Sequence, residues 1–261
     1  LDASRPVVEH QARLPAARRR IGTPRGSRGL GLFCQAMPVA LGFRHGTDVP
    51  APTRDAGIWQ ATGYRPLHEG ITVLQAVPTL HQVLAHCRKA GLRPVTLDGM
   101  LSFCDRATGT TEDGNDLRAR GRAHRCAGNA LFLAAPDGIP LRVCDVERGS
   151  AHDVYTARLH ALPALYPAAA AGLVALAGVG YVGAGIGIRL HAARADISSS
   201  LNAGIRAYNR LVRSLRVLED RAATRLKQRR RALRHVTLSP GRIGVIVQAA
   251  LVLNNVGGDF R

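Results

Sequence analysis

Two kinds of charged side chain in this sequence could do chemistry: a large excess of arginine and a few well-separated acids. Lys plus Arg total 36 against 18 Asp plus Glu, a net charge of +18, and Lys89 and Lys227 are the only lysines. Such a surface favours polyanions, nucleic acid first. Arg, Ala, Gly and Pro are also what GC-rich codons yield, so composition carries only part of that weight. Among the acids, Asp98 follows the apolar run Arg93 to Leu97, Asp145 lies in an apolar alternation, His152-Asp153 opens a helical pattern, and Glu219-Asp220 fall inside a long basic one. Cys34, Cys87, Cys104, Cys126 and Cys144 are odd in number and contain no CxxC pair. That pattern argues against a disulfide framework or a zinc knuckle and fits a reducing cytoplasm.

The elements that must position these residues follow from periodicity. Thr79 to Ala90 places Leu80, Val83, Leu84 and Cys87 at helical spacing, with Gly91 as its stop. Arg93 to Leu97 then reads as a short buried strand ending at Asp98. Ala130 to Ala135 and Leu141 to Val146 read as a hairpin joined by Pro136-Asp137-Gly138. A helix from Asp153 to about Leu165, a strand Leu173 to Ala177 and a Gly-rich loop Gly178 to Gly187 follow. A long helix from about Asn202 to Arg234 shows Leu211, Leu215, Leu218, Ala222 and Leu226 on one face and arginines elsewhere. Ser239-Pro240 opens a last apolar helix through Leu253.

Residues 1–60 show no sustained period and are rich in Arg, Pro and Gly, so they read as a disordered basic arm with no helix-turn-helix pattern. Their first residue, Leu1, is that of a fragment or of an unusual start, and no signal peptide is evident. Ala161 to Ile188 carries no charged residue, which exceeds the roughly 20 residues needed to span a bilayer. Its Pro and Gly content and its many alanines favour a buried strand with loops over a membrane span.

Several stretches carry a family resemblance: YRPLHEGITVL from Tyr64, VTLDGMLSFCDR from Val95, GRAHRCAGN from Gly121, GSAHD from Gly149, YNRLVRSLRVLEDRAATRLKQR from Tyr208 and LRHVTLSPGRIGVIVQAALVLNN from Leu233. From Tyr64 to Asn255 the sequence resembles a bacterial insertion-sequence transposase of the Harbinger-type DDE superfamily. That resemblance implies an α/β fold with a ribonuclease H-like mixed sheet flanked by helices over residues 64–255, followed by a tail, 256–261. It also implies an enzyme that cuts element ends and joins them to target DNA, using acids that hold two divalent cations, Mg²⁺ or Mn²⁺.

Residue by residue, the first acid position of that pattern maps to Asp98, the best site candidate, with an Asp opening a turn before Gly99 as the lesser alternative. The second maps to the stretch Leu176, Ala177, Gly178, Val179, Gly180, Tyr181, where Gly178 stands in place of the acid. Glycine has no ligand atom, so cation binding is expected to be weakened unless Asp145 or Asp153 substitutes. The third maps to Asp220 beside Arg221, with Glu219 as the alternative because it flanks the apolar face of the helix. Metal ligation is thus expected of Asp98 and Asp220. Asp153 also suits the first turn of its own helix. Arg122, His124, Arg125, Arg213, Arg216 and Arg221 are candidate DNA contacts. The expectation is a DNA transposase-family protein of the cytoplasm, inactive or impaired, with DNA as partner. A homo-oligomer is compatible, and neither a membrane nor a small-molecule cofactor is expected; the alternatives are a non-catalytic DNA-binding remnant and a small membrane protein.

Overall fold

In a computed structural model the described residues are 32–46, 50–55, 57, 59–75, 77–105, 119–120, 125–190 and 203–256. They belong to two compact units: one of residues 1–77, 102–107 and 226–261, the other of residues 78–101 and 108–225.

The first unit is helical. Helix α1 (Leu32–His45) buries Ala36, Val39, Ala40 and Phe43, an i, i+3, i+4, i+7 stripe that is helical in period despite its Arg-, Gly- and Pro-rich surroundings. Helix α2 is Pro50–Asp55 and α3 is Gln60–Leu74. The basic arm read through residue 60 therefore contains two helices, and its first 31 residues lie outside the described residues. Helix α1 packs against α3, and a Cβ on Gly70 would meet Val39 Cγ2 at 2.7 Å, so this glycine permits the close approach.

The second unit holds most of a mixed sheet. Strands β1 (Val95–Cys104), β2 (Ala119–Arg120), β3 (Arg125–Ala134), β4 (Pro140–Arg148), β5 (Ala175–Ala177) and β6 (Ile188–Leu190) run in the order β2-β3-β1-β5-β6, with β4 also paired to β3. β1, β5 and β6 are parallel, whereas β3 and β4 form the expected antiparallel hairpin. Strand β3 is buried along nearly its whole length, which is why its sequence is almost continuously apolar. Helices α4 (Leu80–Lys89), α5 (Asp153–His160) and α6 (Leu162–Ala170) supply Val83, Leu84, Ala157, Leu162 and Leu165 to the core built on Val95, Leu97, Leu131 and Leu133. The single helix expected from Asp153 to Leu165 is two, because Ala161 leaves helical geometry and Pro163 opens the second.

Helix α7 (Ala203–Arg229) buries Ala222 and Leu226 of the face read from the sequence, together with Val212, while Leu211 of that face is 59% exposed. It ends at Arg230, whose non-helical backbone precedes a 3-10 turn, Arg231–Leu233. In the first unit, β7 (His235–Val236) pairs in parallel with Phe103 and Cys104 at the end of β1, and α8 (Ile243–Val256) packs on α3. β1 is thus a ten-residue strand that continues past Asp98 rather than stopping there. No described helix is long and apolar enough to cross a membrane. Residues 161–188 form α6, β5 and the start of β6 with their connecting turns.

Candidate functional site

The pairing of β1 with β5 sets the geometry. Val95 faces Ala175, Thr96 faces Leu176 and Leu97 faces Ala177 in parallel register. The next residues, Asp98 and Gly178, therefore leave two neighbouring strands side by side where that pairing ends. Asp98 is half-buried and Gly178 is buried. Gly178 has φ −76° and ψ 175° at the start of a 3-10 turn, Val179–Tyr181, a backbone any residue can adopt. Nothing in its backbone requires glycine, so the position would accept a residue with a side chain without a change of fold.

A second acid lies close by. Asp153, in the first turn of α5, is held by Asn129 of β3: Asn129 Nδ2 donates to Asp153 Oδ1 at 2.7 Å and to the Ala151 carbonyl at 3.1 Å. Two glycines make room for this carboxylate. A Cβ on Gly99 would stand 3.0 Å from Asp153 Oδ1, and one on Gly180 would stand 3.3 Å from Asp153 Oδ2. Asn129 is 1% exposed, and its Oδ1 is buried without a hydrogen-bond donor. Successive side chains of a strand point to opposite faces. Since Gly99 faces Asp153, Asp98 faces the other side of the sheet. The structure thus brings Asp153 to the strand ends but does not set its carboxylate beside that of Asp98.

The remaining residues fall elsewhere. Asp145 is exposed on β4, which pairs with β3 and not with β1. Asp220 is exposed on α7, as are Arg213 and Arg221, and Arg125 is exposed at the start of β3. Arg122 and His124 lie outside the described residues, as do the side chains of Glu219 and Arg216. Asn129, Gly99 and Gly180 were not singled out from the sequence. The available signal was one amide in an otherwise apolar strand, since buried polar groups need a partner.

Hard cations need several oxygen ligands converging on one point. Among the described residues no group of three or more His, Cys, Asp or Glu side chains is placed to hold a metal ion. With glycine at 178 and Asp153 on the opposite face from Asp98, the described side chains do not complete a ligand set for the pair of divalent cations that the resemblance implies.

The four described cysteines, Cys87, Cys104, Cys126 and Cys144, are buried and form no disulfide with one another, and burial pushes the Cys144 thiol up to about 11. They are core side chains.

The fold is a mixed α/β one, with an acid, Asp98, on a central strand where the pairing with its parallel neighbour ends. The sequence matches the family model of the DDE superfamily endonucleases over residues 97–255. The match covers β1 through α8 and more than half of the chain, and the chain belongs to that family. No curated protein and no solved structure matches it.

Proposed function

We propose that this chain is a Harbinger-type transposase with a ribonuclease H-like nuclease domain that binds DNA but is inactive or impaired in strand cleavage. The observation that supports this reading is the register of β1 on β5, which pairs Leu97 with Ala177, the residues just before Asp98 and Gly178, and the resemblance implies an acid at the latter. In this family's chemistry two cations stabilise the attacking and leaving oxygens of an in-line displacement, so each bridging carboxylate is hard to replace. Asp153 is an incomplete substitute, because its Oδ1 already accepts from Asn129 and it lies on the Gly99 face. What remains is polyanion binding by the exposed arginines of α7, which supports the DNA-binding part of the reading.

The test is incubation of the purified chain with duplex DNA carrying the element ends, with Mg²⁺ or Mn²⁺. DNA binding without strand cleavage is expected. Gly178→Asp is expected to raise affinity for Mn²⁺, measured by calorimetry, and Asp98→Ala to abolish that gain. Mg²⁺-dependent cleavage by the unmodified chain, lost in Asp98→Ala, would overturn the impaired reading. Failure to bind DNA at low salt would overturn the DNA-binding part.

A further inference from the structure

Helix α8 is opened by a turn with little of its own to hold it. The 3-10 turn Pro240–Arg242 buries none of its residues, and Ser239 makes no side-chain cap bond to it. Its backbone bonds are local, from the Arg242 N–H to the Ser239 carbonyl at 2.8 Å and from the Ile243 N–H to that of Pro240. A side chain ties the turn to its neighbour: Arg242 Nη1 stands 2.6 Å from Nδ1 of the half-buried His68 on α3.

This contact exists in one protonation state only. A guanidinium has donors and no acceptor and keeps its proton, so His68 Nδ1 must accept and the ring must be neutral, with its hydrogen on Nε2. Burial, and then the Arg242 charge, hold His68 below the ordinary histidine value. Tyr64, one turn back on α3, stacks on the imidazole with ring centroids 6.3 Å apart. Glu69 is bridged to Arg65 at 3.3 Å. Of the elements packed on α3, α1 carries Arg44 and His45, α2 carries Arg54 and Asp55, and α8 has no charged residue. Among the described residues the charge that acts on His68 is that of Arg242.

We propose that the His68–Arg242 contact is a proton-operated clasp: neutral His68 holds the turn that opens α8 against α3, and protonated His68 releases it. Protonation removes the accepting lone pair and sets an imidazolium against a guanidinium. It does so beside the N-terminal end of α8, where positive charge is already disfavoured. The other two histidine contacts respond in the opposite sense. His235 meets Asp105 and His160 meets Glu147, each at 2.8 Å, so a proton on either ring makes a salt bridge. Of the three, acid weakens the one at α8. Because folding lowers the His68 value, the stability contributed by the clasp is complete above the ordinary histidine value and is lost as pH falls from there through the folded one. This inference does not depend on whether the chain binds or cleaves DNA.

Two measurements on the full chain test it. In an NMR titration the His68 ring is expected to titrate below the ordinary histidine value, and to move back up in Arg242→Gln. Amide hydrogen exchange of residues 240–246, corrected for intrinsic rate, is expected to be several-fold faster at about pH 5.5 than at about pH 7.5, on either side of the ordinary histidine value. His68→Asn puts Oδ1, an acceptor at every pH, where Nδ1 stands, and is expected to keep the slow exchange at both. His68→Gln is a second neutral acceptor should the first variant fold poorly. Exchange that quickens with acid equally in the wild type and these variants overturns the proposal, as does exchange in the wild type that acid leaves unaltered. So does a His68 ring that titrates at or above the ordinary value.

Discussion

At the scale of single residues the end of the β1–β5 pairing is shaped as much by glycines as by acids. Gly178 adopts an ordinary extended backbone and is glycine without conformational need, whereas a Cβ on Gly99 or Gly180 would press on the Asp153 carboxylate. Gly99→Ala places a methyl group 3.0 Å from Asp153 Oδ1 and 3.2 Å from Asn129 Oδ1, both held by a hydrogen-bonded pair. The expected cost is about 1–3 kcal/mol of unfolding free energy, as for other overpacked sites. In an Asp153→Ala background the same substitution should cost less, because one of the two obstructing groups is gone. Urea denaturation of the four proteins measures both values, and an equal cost in the two backgrounds would mean that Asp153 is not what Gly99 accommodates. The sequence made Asp98 and Asp153 legible as acids near strand and helix ends. It did not show that they face opposite sides of the sheet, because that depends on a one-residue alternation along β1 and on which helix covers which face.

At the scale of elements, local patterns that contain their own stop signals were readable and those set by tertiary partners were not. Helix α4 is the clearest case. Thr79 accepts from the Gln82 backbone N–H, while Gln82 Oε1 accepts from the Thr79 N–H at 2.8 Å, a complete capping box. Thr79→Ala removes half of it and is expected to cost about 1 kcal/mol, read as a lower urea midpoint at unchanged slope. A midpoint within error of the parent would show that the packing of Val83, Leu84 and Cys87 alone fixes this helix. The β3–β4 hairpin was equally legible: Pro136-Asp137-Gly138 turns the chain, Gly138 adopts φ +80°, and Asp137 Oδ1 accepts from the Ile139 N–H. By contrast, α1 was hidden under an Arg- and Pro-rich composition, since only a four-residue stripe reveals it. The length of β1 was hidden too, because its final pairing partner, β7, lies about 130 residues further along the chain.

At the scale of the whole molecule, net charge alone does not separate selection for a polyanion from the codon bias that produces arginine. On α7, Arg206, Arg210, Arg213, Arg221 and Arg225 are all exposed, and at 3.6 residues per turn they fall within about 120° of the helix circumference. Val212, Ala222 and Leu226 bury the opposite side. Burial of one side confines the charges to the other, and it is along this stripe that a phosphate backbone would lie if the chain binds DNA. DNA binding through such a stripe releases counterions, and the logarithm of affinity then falls against the logarithm of salt by about 0.9 per phosphate engaged. Replacing Arg210, Arg221 and Arg225 by Gln removes three such contacts without adding negative charge. The slope is expected to become shallower by about 2.7, three times the per-contact value, with affinity reduced for every duplex sequence alike. Fluorescence anisotropy across a salt series measures this directly. A slope unchanged in the triple variant would move the DNA-binding surface off α7 and return its arginines to the role of a solvated face.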